Sequence, residues 1–159
     1  MTPLVISKTS INPVIFYSGK ICGYITWIIF ILSILNVISI SMYSFDILKY
    51  VSYGTCLLGL IFTILSLINL GKSTGLGLPS ENTILKLNGI YNVSRNPMYI
   101  GFDLFTISSM LYTLTPLIII GGIYSIFVYH LIMIGEETFL EKRFGKTYHE
   151  YKNNVRRYL

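Results

Sequence analysis

The sequence predicts an all-α, multi-pass transmembrane helical bundle of about four spans with a C-terminal amphipathic interfacial helix. Three observations predict it. Of 159 residues, 53% are hydrophobic and 12% charged, and the mean hydropathy is +0.65. The apolar residues gather into runs of about 20, the length that a hydrocarbon core of roughly 30 Å requires. The few polar clusters sit where these runs begin or end, and charge held at such places usually serves chemistry. The length fits one domain, residues 1–159, with a scaffold in residues 1–71 and the polar clusters in residues 72–159.

The first span is expected over residues 21–44, which at about 1.5 Å per residue reach roughly 36 Å and cross with some tilt. Residues 1–20 begin without a basic n-region and the following run is too long for a signal-peptide core, so this span is expected to stay in the mature chain. A second span, residues 47–70, follows a short polar turn at Ser44, Phe45 and Asp46, which predicts an antiparallel hairpin. The polar content of this pair is Ser, Thr, Asn36 and Asn69, residue types that join helices by hydrogen bonds. Cys22 and Cys56 have no His or Cys nearby at ligand spacing. They read as packing residues, and no metal site is predicted.

Residues 72–88 form the one long polar loop. Gly75, Gly77 and Pro79 interrupt any helix, while Ile84, Leu85 and Leu87 suit the membrane interface. Gly75-Leu76-Gly77 lacks the third glycine and the Lys-Ser/Thr of a phosphate loop, so it reads as a linker.

The third span, residues 98–114, is the shortest. Asn96-Pro97 ahead of it suits a helix start, with Asn as N-cap and Pro at the first helical position. Arg95 beside that start suits a carboxylate or phosphate, or alternatively snorkels to lipid phosphate. Asp103 lies one turn after Tyr99 on the same face, and an acid this deep must point into the bundle.

Thr115-Pro116 repeats the start for the fourth span, residues 116–134. Gly121-Gly122 permits close helix packing, within one bundle or between two copies. This helix is expected to continue to Phe144 and to end at Gly145. His130, Met133 and Glu137 then share a stripe, with Glu136 beside it. Thr147 and Glu150 have capping-box spacing, which starts a last helix at Thr147. Its Tyr148, Tyr151, Val155 and Tyr158 face suits the head-group layer, or the lid of a site.

The net charge of +5 is not a nucleic-acid signature, because its distribution follows the spans. With Lys8 and Lys20 before the first span, eleven of the twelve Lys and Arg residues fall on one side and Lys49 on the other. That side, holding both termini, is expected to be cytoplasmic, with anionic lipid as its partner.

Leu85, Gly89, Tyr91, Arg95-Asn96-Pro97, Tyr99 and Gly101 resemble the L-x-x-x-G-x-Y-x-x-x-R-[HN]-P-x-Y-x-G signature of the isoprenylcysteine carboxyl methyltransferase and phospholipid methyltransferase families. Glu136-Glu137, Leu140, Phe144-Gly145, Tyr148, Tyr151 and Val155 resemble their second block. The resemblance covers the C-terminal half and implies S-adenosylmethionine at the cytoplasmic membrane edge, making residues 72–159 a cofactor-binding half. It implies cofactor contacts from Leu85, Lys86, Tyr91, Arg95, Asn96, Pro97, Met98, Tyr99, Glu136 and Glu137, with Arg95 and the Glu pair at the catalytic centre. Asp103 and His130 are the acceptor-side candidates.

The residues agree with that chemistry. The cofactor carboxylate suits Arg95, its ammonium and ribose hydroxyls suit carboxylates, and its sulfonium suits tyrosine faces. An amine acceptor must lose a proton before attack, and Glu136, Glu137, Asp103 and His130 are all candidates to take it. Asn96 stands where many eukaryotic members have His. Ile132 and Met133 stand where members acting on prenylcysteine have a basic residue, which argues against that acceptor.

The leading reading is therefore methyl transfer to a membrane-soluble lipid amine or prenyl-type carboxylate. A sterol-reductase-like NADPH enzyme is the first alternative, disfavoured by Met98 and Phe102 where that group has Asn and an acid. A non-catalytic transport or assembly protein is the second, disfavoured because Asp103 is the one acid expected within the membrane. On this reading Arg95→Ala removes cofactor binding without unfolding the bundle.

Overall fold

The structure is a computed structural model that describes residues 11–40, 45–71 and 85–159. Ser44, Lys8, Lys72, Gly75-Leu76-Gly77, Pro79 and Ile84, which entered the reading of the turn, the charge distribution and the loop, lie outside the described residues. The described chain is helical: α1 Pro13–Ile34, α2 Asp46–Leu70, a 3-10 turn Gly89–Asn92, α3 Pro97–Thr113, α4 Pro116–Phe144 and α5 Lys146–Asn154. Among the described residues three helices, α1, α2 and α4, have the length and apolarity to cross a membrane. The 17 residues of α3 reach about 26 Å, short of a roughly 30 Å core.

The first helix is shifted from its expected place. It begins at Pro13 because the Asn12 side chain accepts from the Val14 N–H at 2.9 Å with Pro13 at the first helical position, the same start signal as Asn96-Pro97. It ends at Ile34, before Asn36 in the left-handed region at φ 55°. Lys20, expected ahead of the first span, therefore lies inside it. Hydrophobic run length alone places a helix loosely, because apolar loop residues extend the run past the turn that ends it.

The expected α1–α2 hairpin does not form as a packed pair. Helix α3 lies against α1, α2 and α4, α2 packs chiefly on α3, and α1 packs chiefly on α4. Small residues set these crossings. Gly59 and Gly101 bring α2 and α3 together so closely that a Cβ on Gly101 meets the Gly59 carbonyl at 2.9 Å and also overlaps the Thr63 hydroxyl. Gly122 seats against Met110 and Thr106 of α3, whereas a Cβ on its neighbour Gly121 meets nothing within 4 Å. Gly19 and Gly23 of α1 face Val128, Ser125 and Tyr129 of α4. Gly101→Ala is expected to cost about 1–3 kcal/mol through overpacking, seen as a lower unfolding midpoint in detergent; an unchanged midpoint counts against this crossing.

The hydroxyls do join helices, as their residue types suggest. Ser52 Oγ donates to the Ser108 carbonyl at 2.9 Å, Thr55 and Ser108 hydroxyls meet at 2.8 Å, and Ser109 Oγ donates to the Thr26 carbonyl at 2.8 Å. Trp27 Nε1 donates to Thr106 Oγ1 at 2.9 Å. With little water to compete, such bonds hold neighbouring spans in register. Phe16, Val128, Tyr129 and Ile132 form the apolar core, with Trp27, Tyr99 and Phe102 packed against it.

Helix α4 continues unbroken to Phe144, and Gly145 at φ +51° turns the chain directly into α5. That direct turn leaves no room for the expected capping box: α5 starts at Lys146, and no side-chain cap hydrogen bond forms. Its Tyr148 and Tyr151 are buried on the protein, 1% and 8% exposed, whereas Tyr158, expected on the same face, lies past the end of α5 and is exposed.

Candidate active site

Both oxygens of Glu137 are saturated. Arg95 Nε and Nη2 donate to Oε1 and Oε2 at 3.3 and 3.1 Å, and Arg157 Nε and Nη2 donate to the same two atoms at 3.2 and 3.0 Å. Asn96 Nδ2 adds a donation to Oε1 at 2.7 Å. Two forked guanidinium contacts on one carboxylate are among the stronger side-chain interactions available, and this one is 3% exposed at its Glu137 centre. The expected meeting of Arg95 on the start of α3 with the acids of α4 is thus present, at the end of the bundle where α5 and the tail return.

The tail is bolted to the same place. Arg95 Nη1 donates to the carbonyls of Lys152 and Val155, both at 2.9 Å, and the Arg95 N–H donates to the Arg156 carbonyl at 2.9 Å. Ser94 Oγ donates to the Arg157 carbonyl at 3.0 Å, and Tyr151 Oη donates to the Tyr91 carbonyl at 2.6 Å. Burial pushes the Tyr91 hydroxyl up to about 12 and raises Tyr148 and Tyr151 further still, so all three stay neutral donors at physiological pH. These contacts explain why the two sequence blocks belong together: residues 91–96 and 151–157 are one folded unit.

Asn96 sits at the N-cap position of α3 but makes no capping bond, because its amide is turned to Glu137. Pro97 is fully buried; Met98 and Tyr99 are partly so. Leu85 and Lys86 lie partly buried in the irregular approach to the 3-10 turn, whose Gly89 takes φ +65° against Asn69.

Glu136 has a different environment from its neighbour. Its Oε1 accepts from Tyr99 Oη at 2.7 Å, and among the described residues no cation lies within ion-pair distance. The Tyr99 ring lies 6.0 Å from that of Phe102 and 5.9 Å from that of Tyr129. A carboxylate beside aromatic faces suits a cationic ligand.

Farther into the bundle, among the described residues, the buried oxygens Asp103 Oδ1, Ser125 Oγ and Tyr129 Oη have no hydrogen-bond partner. His130 Nδ1 is bonded to Tyr158 Oη at 2.7 Å with the two rings stacked.

Two participants escape sequence reasoning. Arg157 shows there only as one cation among several near the C-terminus, and Lys20 only as a flanking charge. Arg157→Ala is expected to cost about 1.5–3 kcal/mol, the range for hydrogen bonds to a charged group, and to loosen the tail; limited proteolysis near residue 155 together with the unfolding midpoint reads both. Wild-type values for both argue against the latch.

The phospholipid methyltransferase family model matches residues 47–147. A protein-S-isoprenylcysteine O-methyltransferase of Dictyostelium discoideum is 34% identical over 76 residues, 47% of this chain and 32% of that protein. The matched stretch thus spans about a third of that relative's length. The matched span carries the Arg95 start of α3, both glutamates and the glycines that set the α2–α3 and α3–α4 crossings, so the chain belongs to the phospholipid methyltransferase family.

Proposed function

We propose that this protein transfers methyl groups from S-adenosylmethionine to a lipid-soluble acceptor at the cytoplasmic membrane face, with both termini on that side. The observation that carries the reading is the division of labour in the glutamate pair: Glu137 is saturated by Arg95, Asn96 and Arg157, while Glu136 accepts from the Tyr99 hydroxyl beside aromatic rings and, among the described residues, has no ion pair. That environment fits a ligand with an ammonium and a sulfonium. When bound, the cofactor supplies an electrophilic methyl group, transferred by in-line displacement without a metal.

Glu136 and Tyr99 hold the cationic end, and the Tyr91 edge with the backbone around Leu85, Lys86, Asn96, Pro97 and Met98 lines the rest. Arg95 and Glu137 act as positioning residues. Three Arg95 nitrogens are engaged within the protein, so the guanidinium fixes the site wall where the sequence suggested a direct cofactor contact. Orientation and exclusion of water then supply most of the rate.

The acceptor enters sideways from the bilayer toward Asp103 and His130. Between a lipid amine and a prenyl-type carboxylate, Asp103 Oδ1, without a partner among the described residues, favours the amine, whose proton it would accept before attack. His130, held by Tyr158, shapes the acceptor channel. The cytoplasmic assignment rests on Lys142, Arg143, Lys146, Lys152 and Arg156 gathered around the α4–α5 turn at the Arg95 end, where anionic lipid is the natural counterpart.

Calorimetry of the purified protein in detergent tests the cofactor: S-adenosylmethionine and its demethylated product are expected to bind at roughly micromolar affinity, and NADPH not at all. Binding of NADPH alone, or of none of the three, overturns the reading. A radiolabelled-methyl assay with extracted lipids then identifies the acceptor.

A further inference from the structure

Lys20 is an intramembrane cation that the reading above does not use. It lies on α1, about 12 Å along the axis from the Asn12 cap, and outside the residues matched by the family. Gly19 lets α1 approach Val128 of α4 closely, which carries the adjoining Lys20 toward the site. Its ammonium stands 4.1 Å from the centroid of the Phe16 ring. Phe16 belongs to the core on which Tyr99 packs, and Tyr99 holds Glu136. Among the described residues Lys20 has no ion-pair partner. Glu136 lies one turn beyond Ile132 of that same core on α4, the helix against which α1 packs.

An ammonium and a carboxylate on facing helices around one core, not paired with each other among the described residues, suit a ligand that carries both opposite charges. We propose that Lys20 is the anion-binding half, and Glu136 the cation-binding half, of a site for a zwitterion. The ligand presents an ammonium to Glu136 and an anionic oxygen group to Lys20. Two molecules carry that chemistry at a methyl-transfer site: the amino-acid end of the cofactor and the head group of an aminophospholipid. The inference rests on the assignment of Glu136 above, but Lys20 is tested separately.

Lys20→Met and Lys20→Arg are compared with the wild type in two binding assays. Calorimetry measures S-adenosylhomocysteine against 5′-methylthioadenosine, which lacks the amino acid. Fluorescence measures quenching of Trp27, the single tryptophan of the chain, by a phosphoethanolamine amphiphile with a brominated alkyl chain in neutral detergent. The expected result is an affinity loss of about tenfold in Lys20→Met for one of the two zwitterions, with most of it regained in Lys20→Arg and with 5′-methylthioadenosine unaffected. Loss in the calorimetric arm identifies the cofactor as the source of the anion; loss in the quenching arm identifies the lipid. Wild-type affinity for both zwitterions in Lys20→Met overturns the proposal and returns Lys20 to snorkelling. An equal loss for 5′-methylthioadenosine, or a wild type that binds neither zwitterion, overturns it as well. Should S-adenosylhomocysteine alone fail to bind the wild type, the cofactor reading fails while the quenching arm still decides Lys20.

Discussion

Glu137→Ala is expected to destabilise the protein by about 3–5 kcal/mol, the cost of leaving buried charge without its partner. The reason is geometric: one carboxylate receives both Arg95 and Arg157, and the side chains of Arg95 and Glu137 are 8% and 4% exposed. Removing the acid strands two guanidinium groups together at the rim, where they repel each other. The effect reaches beyond the pair, because Arg95 also holds the Lys152 and Val155 carbonyls that anchor the tail. A fall in unfolding midpoint, with new protease cleavage after residue 154, is the expected readout; a wild-type midpoint removes Glu137 from this role. Arg95→Ala belongs to the same class. The sequence alone led to loss of cofactor binding with an intact bundle, whereas the contacts of Arg95 lead to loss of binding through loss of the rim.

Glu136→Gln is expected to show the opposite pattern. The substituted amide oxygen still accepts from Tyr99, so stability should stay within about 0.5 kcal/mol of wild type, the range for substitutions that break no buried network. What the substitution removes, on the proposed function, is the negative charge offered to the cofactor. Removing one preorganised electrostatic contact typically costs about 10²–10³ in turnover, and a radiolabelled-methyl assay at saturating acceptor measures it. Full activity in Glu136→Gln rules out a charge-based role. Adjacent glutamates that respond so differently also separate this arrangement from one in which both serve topology.

Much of this was legible in the chain because the bilayer leaves few options. Backbone groups in hydrocarbon must be bonded within their own helix, so α2, α3 and α4 fall close to their apolar runs, and Pro97, Pro116 and Gly145 mark boundaries that the structure keeps. The start of α1 was equally written in Asn12-Pro13 but was masked by the longer apolar run after it. The faces were less legible. Tyr148 and Tyr151 suit a head-group layer and a protein interior equally by composition, and only the packing of α5 beneath the 91–96 segment selects the interior.

What the sequence determined by itself is the bundle, its helix boundaries at Pro and Gly, and the identity of the polar residues gathered at one rim, since each follows from local chemistry in a membrane. Only the tertiary structure decided which charges meet. The partnership of Glu137 with both Arg95 and Arg157, the lack of an ion pair at Glu136 among the described residues, and the approach of α1 to α4 all depend on crossings set by Gly19, Gly101 and Gly122. Charge pairing is a property of distance and orientation between helices, and residues separated along the chain carry no record of it until those helices pack.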